Sequence, residues 1–415
     1  MAIFTPCTFP LYYKQLLSAL YYMDDQHTLR HYNIAFDAKR AYQNGTGLGH
    51  YSRTLIGSLV SMYPQHQYYL ATPKLATRFT LPVGPNVHTI TPSTLLQRRL
   101  PALWRSSLIT NQLTHIPIDL YHGLSHEIPW GLHHTRVKSV VTIHDLIFER
   151  YPKQYNWLDV QIYRYKFRYA CTHADHIIAI SQQTKGDIIR FYGIPSDKIS
   201  VCYQSCNPQF QQPVSDAEKN SIRSMYSLPE QFFLYVGSII ERKNLLNICK
   251  AYALLQDKLA IPLVVIGEGG SYKKQVQRYI QNAGIQGKII FLSETAAAAQ
   301  SPAFKSAAHF PAIYQLATGM VYPSIFEGFG IPVLEALWSK TPVITSNVSC
   351  LPETGGNGAL YIDPYTPAAI AEALLQVAHG GPAIQQMVER GWAHAQHFTP
   401  EKCAAAVMQV YLRVL

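Results

Sequence analysis

The sequence predicts two parallel, doubly wound α/β domains, on three observations. Short apolar runs alternate with helix-length segments along most of the chain, and strands that alternate with helices imply a parallel sheet. The runs fall into two series separated by a polar, proline-punctuated stretch, Cys206-Asn-Pro-Gln-Phe-Gln-Gln-Pro213, which reads as a hinge. A length of 415 residues exceeds what one hydrophobic core usually serves.

Residues 1–31 are rich in Tyr, Leu and His without a clear period and are expected to be an extension; Met23 offers an alternative start. The first series then reads Asn33–Asp37, Tyr69–Thr72, Val87–Ile90, Asp119–His122, Val140–Ile143 and His176–Ile180. The second reads Phe232–Val236, Leu263–Ile266, Lys288–Phe291, Met320–Tyr322, Pro342–Thr345 and Leu360–Ile362. The expected boundaries are 32–208 for a first Rossmann-like domain, 209–399 for a second, and 400–415 for a closing helix. Ligands of open α/β sheets sit beyond the carboxyl ends of the strands, so two facing sheets place the site in an interdomain cleft.

Composition narrows the setting. Seven cysteines stand singly with no CxxC pair and no zinc spacing, which fits a reducing cytoplasm. No apolar run approaches the roughly 18 residues of a membrane span, and the first residues lack the layout of a signal peptide. The net charge of +10 is lopsided: up to Pro208 there are 20 Lys and Arg against 11 Asp and Glu, and beyond it 15 against 14. Clusters such as Gln97-Arg-Arg99 with Trp104-Arg105, and Tyr163-Arg-Tyr-Lys-Phe-Arg-Tyr169, mix cations with aromatics. Such a surface suits an anionic membrane leaflet or simply water, and no nucleic-acid motif accompanies it. The expected location is the cytoplasm, with peripheral contact at the inner face of the membrane.

The chemistry is expected at Ser324-Ile-Phe-Glu-Gly-Phe-Gly-Ile-Pro-Val-Leu-Glu335, which reads as a strand end, a glycine turn and a helix start. Backbone amides at Gly328, Phe329 and Gly330, reinforced by the helix dipole, make an anion site. Glu327 and Glu335 bracket it and are suited to accept hydrogen bonds from ligand hydroxyls. A phosphate flanked by hydroxyl-bearing groups describes a nucleotide sugar. The stretch Glu327-Gly-Phe-Gly-Ile-Pro-Val-Leu-Glu335 also resembles the Glu-x7-Glu motif of the retaining family 4 glycosyltransferases, and Lys340-Thr-Pro-Val-Ile-Thr-Ser346 continues the resemblance. The resemblance covers roughly residues 33–415 and implies the GT-B architecture, with the last helix crossing back to the first domain.

Three further stretches carry chemistry. Asn44-Gly-Thr-Gly-Leu-Gly-His-Tyr51 reads as a glycine loop running into a helix from Tyr51; its spacing is not that of a dinucleotide fingerprint. It resembles the family's loop over the donor diphosphate, for which Gly47, Leu48 and Gly49 supply amides. Gly237-Ser-Ile-Ile-Glu-Arg-Lys-Asn-Leu245 places two cations near a helix start, as a departing diphosphate requires. Lys243 is the first choice for that contact and Arg242 the second, while Ser238 stands where some relatives carry Arg. Val140-Val-Thr-Ile-His-Asp145 ends a strand at the cleft side; the resemblance implies that His144 faces the donor sugar, with Asp145 beside it. His144 and Asp145 have no third ligand in view for a metal. Tyr121-His-Gly-Leu-Ser-His126 is assigned loosely to the acceptor side.

Together these imply a metal-independent retaining hexosyltransferase without cofactor, in cell-surface polysaccharide synthesis such as that of lipopolysaccharide. Glu335 holds ribose and Glu327 the donor sugar. GDP-mannose is the first expected donor, with UDP-sugars next, and a glycan or polyprenyl-linked acceptor the second substrate. A silent nucleotide-sugar-binding protein and a sugar-nucleotide epimerase of the same architecture are the alternatives.

Overall fold

The computed structural model describes residues 30–75 and 79–415; the expected extension, with Met23, lies almost wholly outside them. The first sheet contains β1 Asn33–Asp37, β2 Gln67–Ala71, β3 Val87–Ile90, β4 Leu120–Gly123, β5 Lys138–Ile143, β6 His176–Ala179 and β7 Ile199–Val201. The second contains β8 Phe233–Val236, β9 Leu263–Ile266, β10 Ile289–Phe291, β11 Gly319–Tyr322, β12 Val343–Ser346 and β13 Leu360–Ile362. Their orders are β3-β2-β1-β4-β5-β6-β7 and β10-β9-β8-β11-β12-β13, parallel throughout. The strand β7, only three residues long, has no counterpart among the expected strands.

Such strands are buried on both faces, which is why they read as apolar runs rather than as alternation. Val140, Val141, Ile143 and Leu234, Tyr235, Val264, Val265 are all essentially inaccessible. Helices cover both sheets. Those that position the site are α1 Gly47–Met62, α2 Leu95–Arg99, α3 Trp157–His173, α4 Gln182–Tyr192, α5 Leu245–Leu255, α6 Phe310–Leu316, α7 Ile331–Trp338 and α8 Pro400–Val414.

In α8, Cys403, Ala404, Val407, Met408 and Tyr411 are buried in the same core as Ile34, Phe36, Leu55 and Leu120, so the last helix closes the first domain rather than the second. Conversely, Cys206 and Phe210 of the proline-punctuated stretch are buried with Ile222, Phe232 and Leu334 of the second domain. The domains also touch directly. The Ser181 hydroxyl donates to the Gly328 carbonyl at 2.7 Å, and the carboxylate of Glu353 accepts from the first-turn amides of Gln182 and Gln183 in α4 at 2.7 and 3.0 Å. That places a carboxylate at a helix N-terminus supplied by the other domain.

Candidate active site

Each sheet reverses its winding once, between β1 and β4 in the first domain and between β8 and β11 in the second. At the second switch point the chain leaves β8 and enters a tight turn, Glu241–Lys243, while β11 leads through Pro323 and Ser324 to Glu327. Arg242, Lys243 and Glu327 thus arrive at one place from adjacent strands. Arg242 Nη1 and Lys243 Nζ lie 3.0 and 3.2 Å from Glu327 Oε1. The Tyr322 and Ser324 hydroxyls donate to the same oxygen at 2.9 and 2.7 Å. Burial opposes ionisation of Glu327, but Lys243 and Arg242 outweigh it and hold the carboxyl down at about 2. All four donors meet Oε1, and Oε2 accepts no hydrogen bond from the described residues.

Burial lowers the Lys243 ammonium below its ordinary value even though Glu327 favours its charge. Lys243 also bonds the Tyr322 hydroxyl, and Arg242 the Phe326 carbonyl. The two cations expected to meet a diphosphate are therefore paired with a carboxylate here. They sit in a single 3-10 turn that directly precedes Asn244, the N-cap of α5 at φ 63°, and so lie near a helix start as expected. Its side-chain amide donates to the carbonyls of Pro323 and Pro364 at 3.1 and 2.7 Å, tying the turn to the ends of β11 and β13.

Glu335 lies one turn into α7 and accepts a hydrogen bond at Oε2 from the Tyr314 hydroxyl of α6 at 2.8 Å. Burial pushes its carboxyl up to about 7, with Tyr314 and the more distant Lys243 offsetting only part of that. Gly330, at φ 99°, turns the chain into α7. The ring of Phe329 is buried with Phe398 in the second-domain core, so only its backbone is placed to serve a ligand. At Gly328 a Cβ would stand 2.2 Å from the His144 carbonyl oxygen, and this glycine is what lets the two domains approach.

His144 and Asp145 follow β5 and lie against that glycine. His144 Nε2 donates to the Leu124 carbonyl at 2.9 Å, which leaves Nδ1 as an acceptor; burial lowers the imidazole to about 4, so it is neutral near pH 7. Its ring meets Tyr51 of α1 edge-on at 4.7 Å. The Tyr51 hydroxyl then joins a buried chain, Tyr51 to Thr142 at 3.1 Å, Thr142 to His122 at 2.8 Å and His122 to Tyr411 of α8 at 2.5 Å. His122 is thereby bonded through both nitrogens and is not on an acceptor surface, a correction to the loose assignment of that strand end. Asp145 accepts from the Ile147 amide at 3.1 Å, and burial raises its carboxyl.

The glycine loop is also corrected. Gly47, Leu48 and Gly49 form the first turn of α1, which begins before Tyr51 because Tyr51, Ser52, Leu55 and Ile56 are buried and packing sustains the helix back to Thr46. The Gly49 amide is bonded to the Thr46 carbonyl at 2.9 Å, which leaves Gly47 and Leu48 as the donors of that turn.

Several partners carry no sequence signal. Tyr322 and Tyr314 read as strand and helix apolar positions, and Ser181 and Glu353 have no telling spacing. At the first-domain switch point, Arg105 bonds Asp37 at 2.6 Å and Glu127 at 3.0 Å, and Lys166 lies 3.3 Å from Glu127. A cleft of 740 Å³ opens between Arg150–Tyr155 of the first domain and Ile239–Arg242 with Gly270–Tyr272 of the second. Arg242 and Ile325 belong to both the cleft and the glutamate cluster. Among the described residues no three His, Cys, Asp or Glu side chains are grouped as metal ligands, and no helix is long and apolar enough to cross a membrane.

Comparison with known proteins agrees with this layout. A Glycosyltransferase Family 4 model matches residues 45–210, and a Glycosyl transferases group 1 model matches residues 218–393. The O-antigen chain mannosyltransferase B of Escherichia coli is 28% identical over 295 residues, covering 70% of this chain and 74% of that protein. The O-antigen chain mannosyltransferase RfbU of Salmonella typhimurium is 29% identical over 226 residues, covering 54% of this chain and 57% of that one. The structure of Anabaena Alr3699/HepE in complex with UDP and glucose superposes with a TM-score of 0.67 at 15% identity, over 92% of this chain and 99% of that one. At that identity the likeness concerns the fold, which is the GT-B arrangement of two Rossmann-like domains.

Proposed function

This chain belongs to the group 1 glycosyl transferases, with a family 4 domain ahead of the group 1 module, and from that premise we propose that it moves a hexosyl unit, mannose first, from a nucleotide diphosphate sugar to a glycan or polyprenyl-linked acceptor. The observation that carries the reading is the Glu327 carboxylate, with one oxygen held by Arg242, Lys243, Tyr322 and Ser324 and the other open, at the strand ends where open α/β sheets bind ligands. The names of the O-antigen relatives support mannose and a polysaccharide setting. A UDP complex of a structural neighbour supports a nucleotide sugar.

In this reading Glu327 Oε2 accepts from the donor sugar, Glu335 accepts from the ribose, and His144 Nδ1 orients the sugar from the opposite domain. Lys243, with Arg242, turns to the diphosphate as charge develops on it. The diphosphate leaves with the electron pair of the glycosidic bond while the acceptor oxygen attacks on the same face. Its proton passes to the departing phosphate oxygen, so configuration is retained without a covalent enzyme intermediate. Cations and first-turn amides meet the phosphate charge without a metal, and an anionic membrane presents the acceptor.

A thermal-shift panel of nucleotides and nucleotide sugars tests this first, since a ligand at 100 times its Kd adds about 2.7 kcal/mol. The expected result is a shift with GDP-mannose or a UDP-sugar, and nucleoside diphosphate release only when acceptor is present. Binding without turnover on any acceptor would indicate a silent binding protein.

A further inference from the structure

One face of the first domain carries a group of exposed leucines. Leu95, Leu96, Leu100 and Leu103 are 75%, 66%, 43% and 47% exposed, on α2 and the single helical turn Pro101–Leu103 that follows it. Four leucines crowded into nine residues are more exposed apolar surface than scattered side chains require. They are held in place and not frayed. Thr94 and Gln97 form a capping box at the start of α2, and Trp104, wholly buried, anchors the far end through its indole N–H to Gln112 at 2.7 Å. Trp130, 42% exposed, extends the face; its amide donates to the Ser106 carbonyl at 2.7 Å and its ring lies edge-on to the exposed Tyr165 of α3.

The charge around the leucines has one sign. Residues 38–118 contain eight Lys and Arg and no Asp or Glu. Arg98 and Arg99 project from α2 between the leucines, and neither is joined to a carboxylate among the described residues. Apolar side chains interleaved with arginines that meet no carboxylate among the described residues, and flanked by Trp and Tyr, match the layering of an anionic bilayer surface, where cations meet headgroups and leucines enter the acyl boundary. A second copy of the same face would set like charges together. Nucleic acid would use the arginines and leave the leucines in water.

We propose that the face built from α2, the Pro101–Leu103 turn and Trp130 docks this protein on an anionic lipid surface. It deepens the peripheral placement in the reading above and rests on that placement, not on the transfer chemistry. The geometry gives docking a purpose. The chain runs from the exposed leucines straight into Arg105, which is bonded to Asp37 at the first-domain switch point. A lipid-borne acceptor entering from this side therefore meets the Asp37–Arg105 pair at that switch point within a few residues of the docking face.

The test uses the full-length protein and vesicles of phosphatidylcholine with and without phosphatidylglycerol. Wild type is expected to co-sediment with the anionic vesicles at about 50 mM salt and to be released by about 500 mM, because the Debye length shrinks several-fold. Leu95→Ser with Leu96→Ser and Leu100→Ser, and separately Arg98→Glu with Arg99→Glu, are each expected to lower the bound fraction about tenfold. The thermal shift with nucleoside diphosphate should be unchanged in both, which reports that the fold and the second domain are intact. Equal binding to neutral vesicles, or anionic binding untouched by both variants, overturns the proposal. So does a wild-type dimer in light scattering that the leucine variant dissolves, since the face would then join two copies. Vesicle binding without any nucleotide shift would sink the transferase reading and leave the docking face standing.

Discussion

Glu327 and Glu335 stand eight residues apart on one turn and helix, the first buried and the second half-buried, and their acidities move in opposite directions. Glu327, at the end of β11, meets Arg242 and Lys243 and falls to about 2; Glu335, on α7, meets only the neutral Tyr314 at hydrogen-bond distance and rises to about 7. Burial acts on both in the same sense. What separates them is the adjacent β8 turn, which delivers two cations to one carboxylate and none within contact of the other. The pair is therefore divided by topology: an anion held by two cations, and a carboxyl raised by burial.

The largest expected effect breaks the first half of this contrast. Glu327→Ala leaves Arg242 and Lys243 buried without a counter-charge, and removing one partner of a buried pair costs about 3 to 5 kcal/mol. Chemical denaturation should show a loss of that order, and turnover should fall with it; a variant as stable as wild type would mean that the cations find another partner. Lys243→Ala is milder for stability, because Arg242 remains on Glu327, but it removes a preorganised charge from the leaving group. Turnover should fall by about 10²-fold or more, and a kcat within about threefold of wild type would sink the diphosphate role.

Glu335→Ala sharpens the second half. Losing this acceptor from ribose hydroxyls should weaken nucleoside diphosphate binding by about 1.5 to 3 kcal/mol in calorimetry above pH 7, where the carboxylate is charged. The contrast would fail if Glu327→Ala, where it folds, lost as much diphosphate affinity.

A smaller effect is carried by pH. The Glu335 carboxyl is raised from 4.5 to about 7, so its contribution to stability is complete below pH 4.5 and is lost as pH rises through about 7. Glu327, lowered from 4.5 to about 2, contributes above pH 4.5 and loses that only as pH falls through about 2. Thermal melts of wild type and Glu335→Gln should therefore converge at low pH and diverge between pH 4.5 and 7, the wild type declining relative to the variant. Parallel melts across that range would show that Glu335 titrates normally. The smallest expected effect is that of chelation: in the proposed reading Lys243, Arg242 and the first-turn amides meet the phosphate charge, so activity in excess EDTA should stay within about twofold of that with magnesium. Complete loss restored by metal would overturn that account.

By itself the sequence determined the architecture, two parallel-sheet domains in series. Apolar runs such as Leu263–Ile266 and Leu360–Ile362 coincide with their strands to the residue, because a strand buried on both faces has no freedom to be polar. Glu327, Glu335, Arg242, Lys243 and His144 stood out through turn signals after strand ends together with the family resemblance, and the structure brings Arg242 and Lys243 onto Glu327. The short β7 was not, since three residues carry too little pattern, and the helix start at Gly47 was hidden behind glycines that argue for a loop. Only the tertiary structure decided which carboxylate the cations hold, that Gly328 is the point of contact between domains, that Tyr411 reaches His122 across 289 residues, and that α2 shows its leucines to solvent. These are matters of distance between segments far apart in the chain, and hydrophobic period and turn signals encode only what neighbours along the chain require.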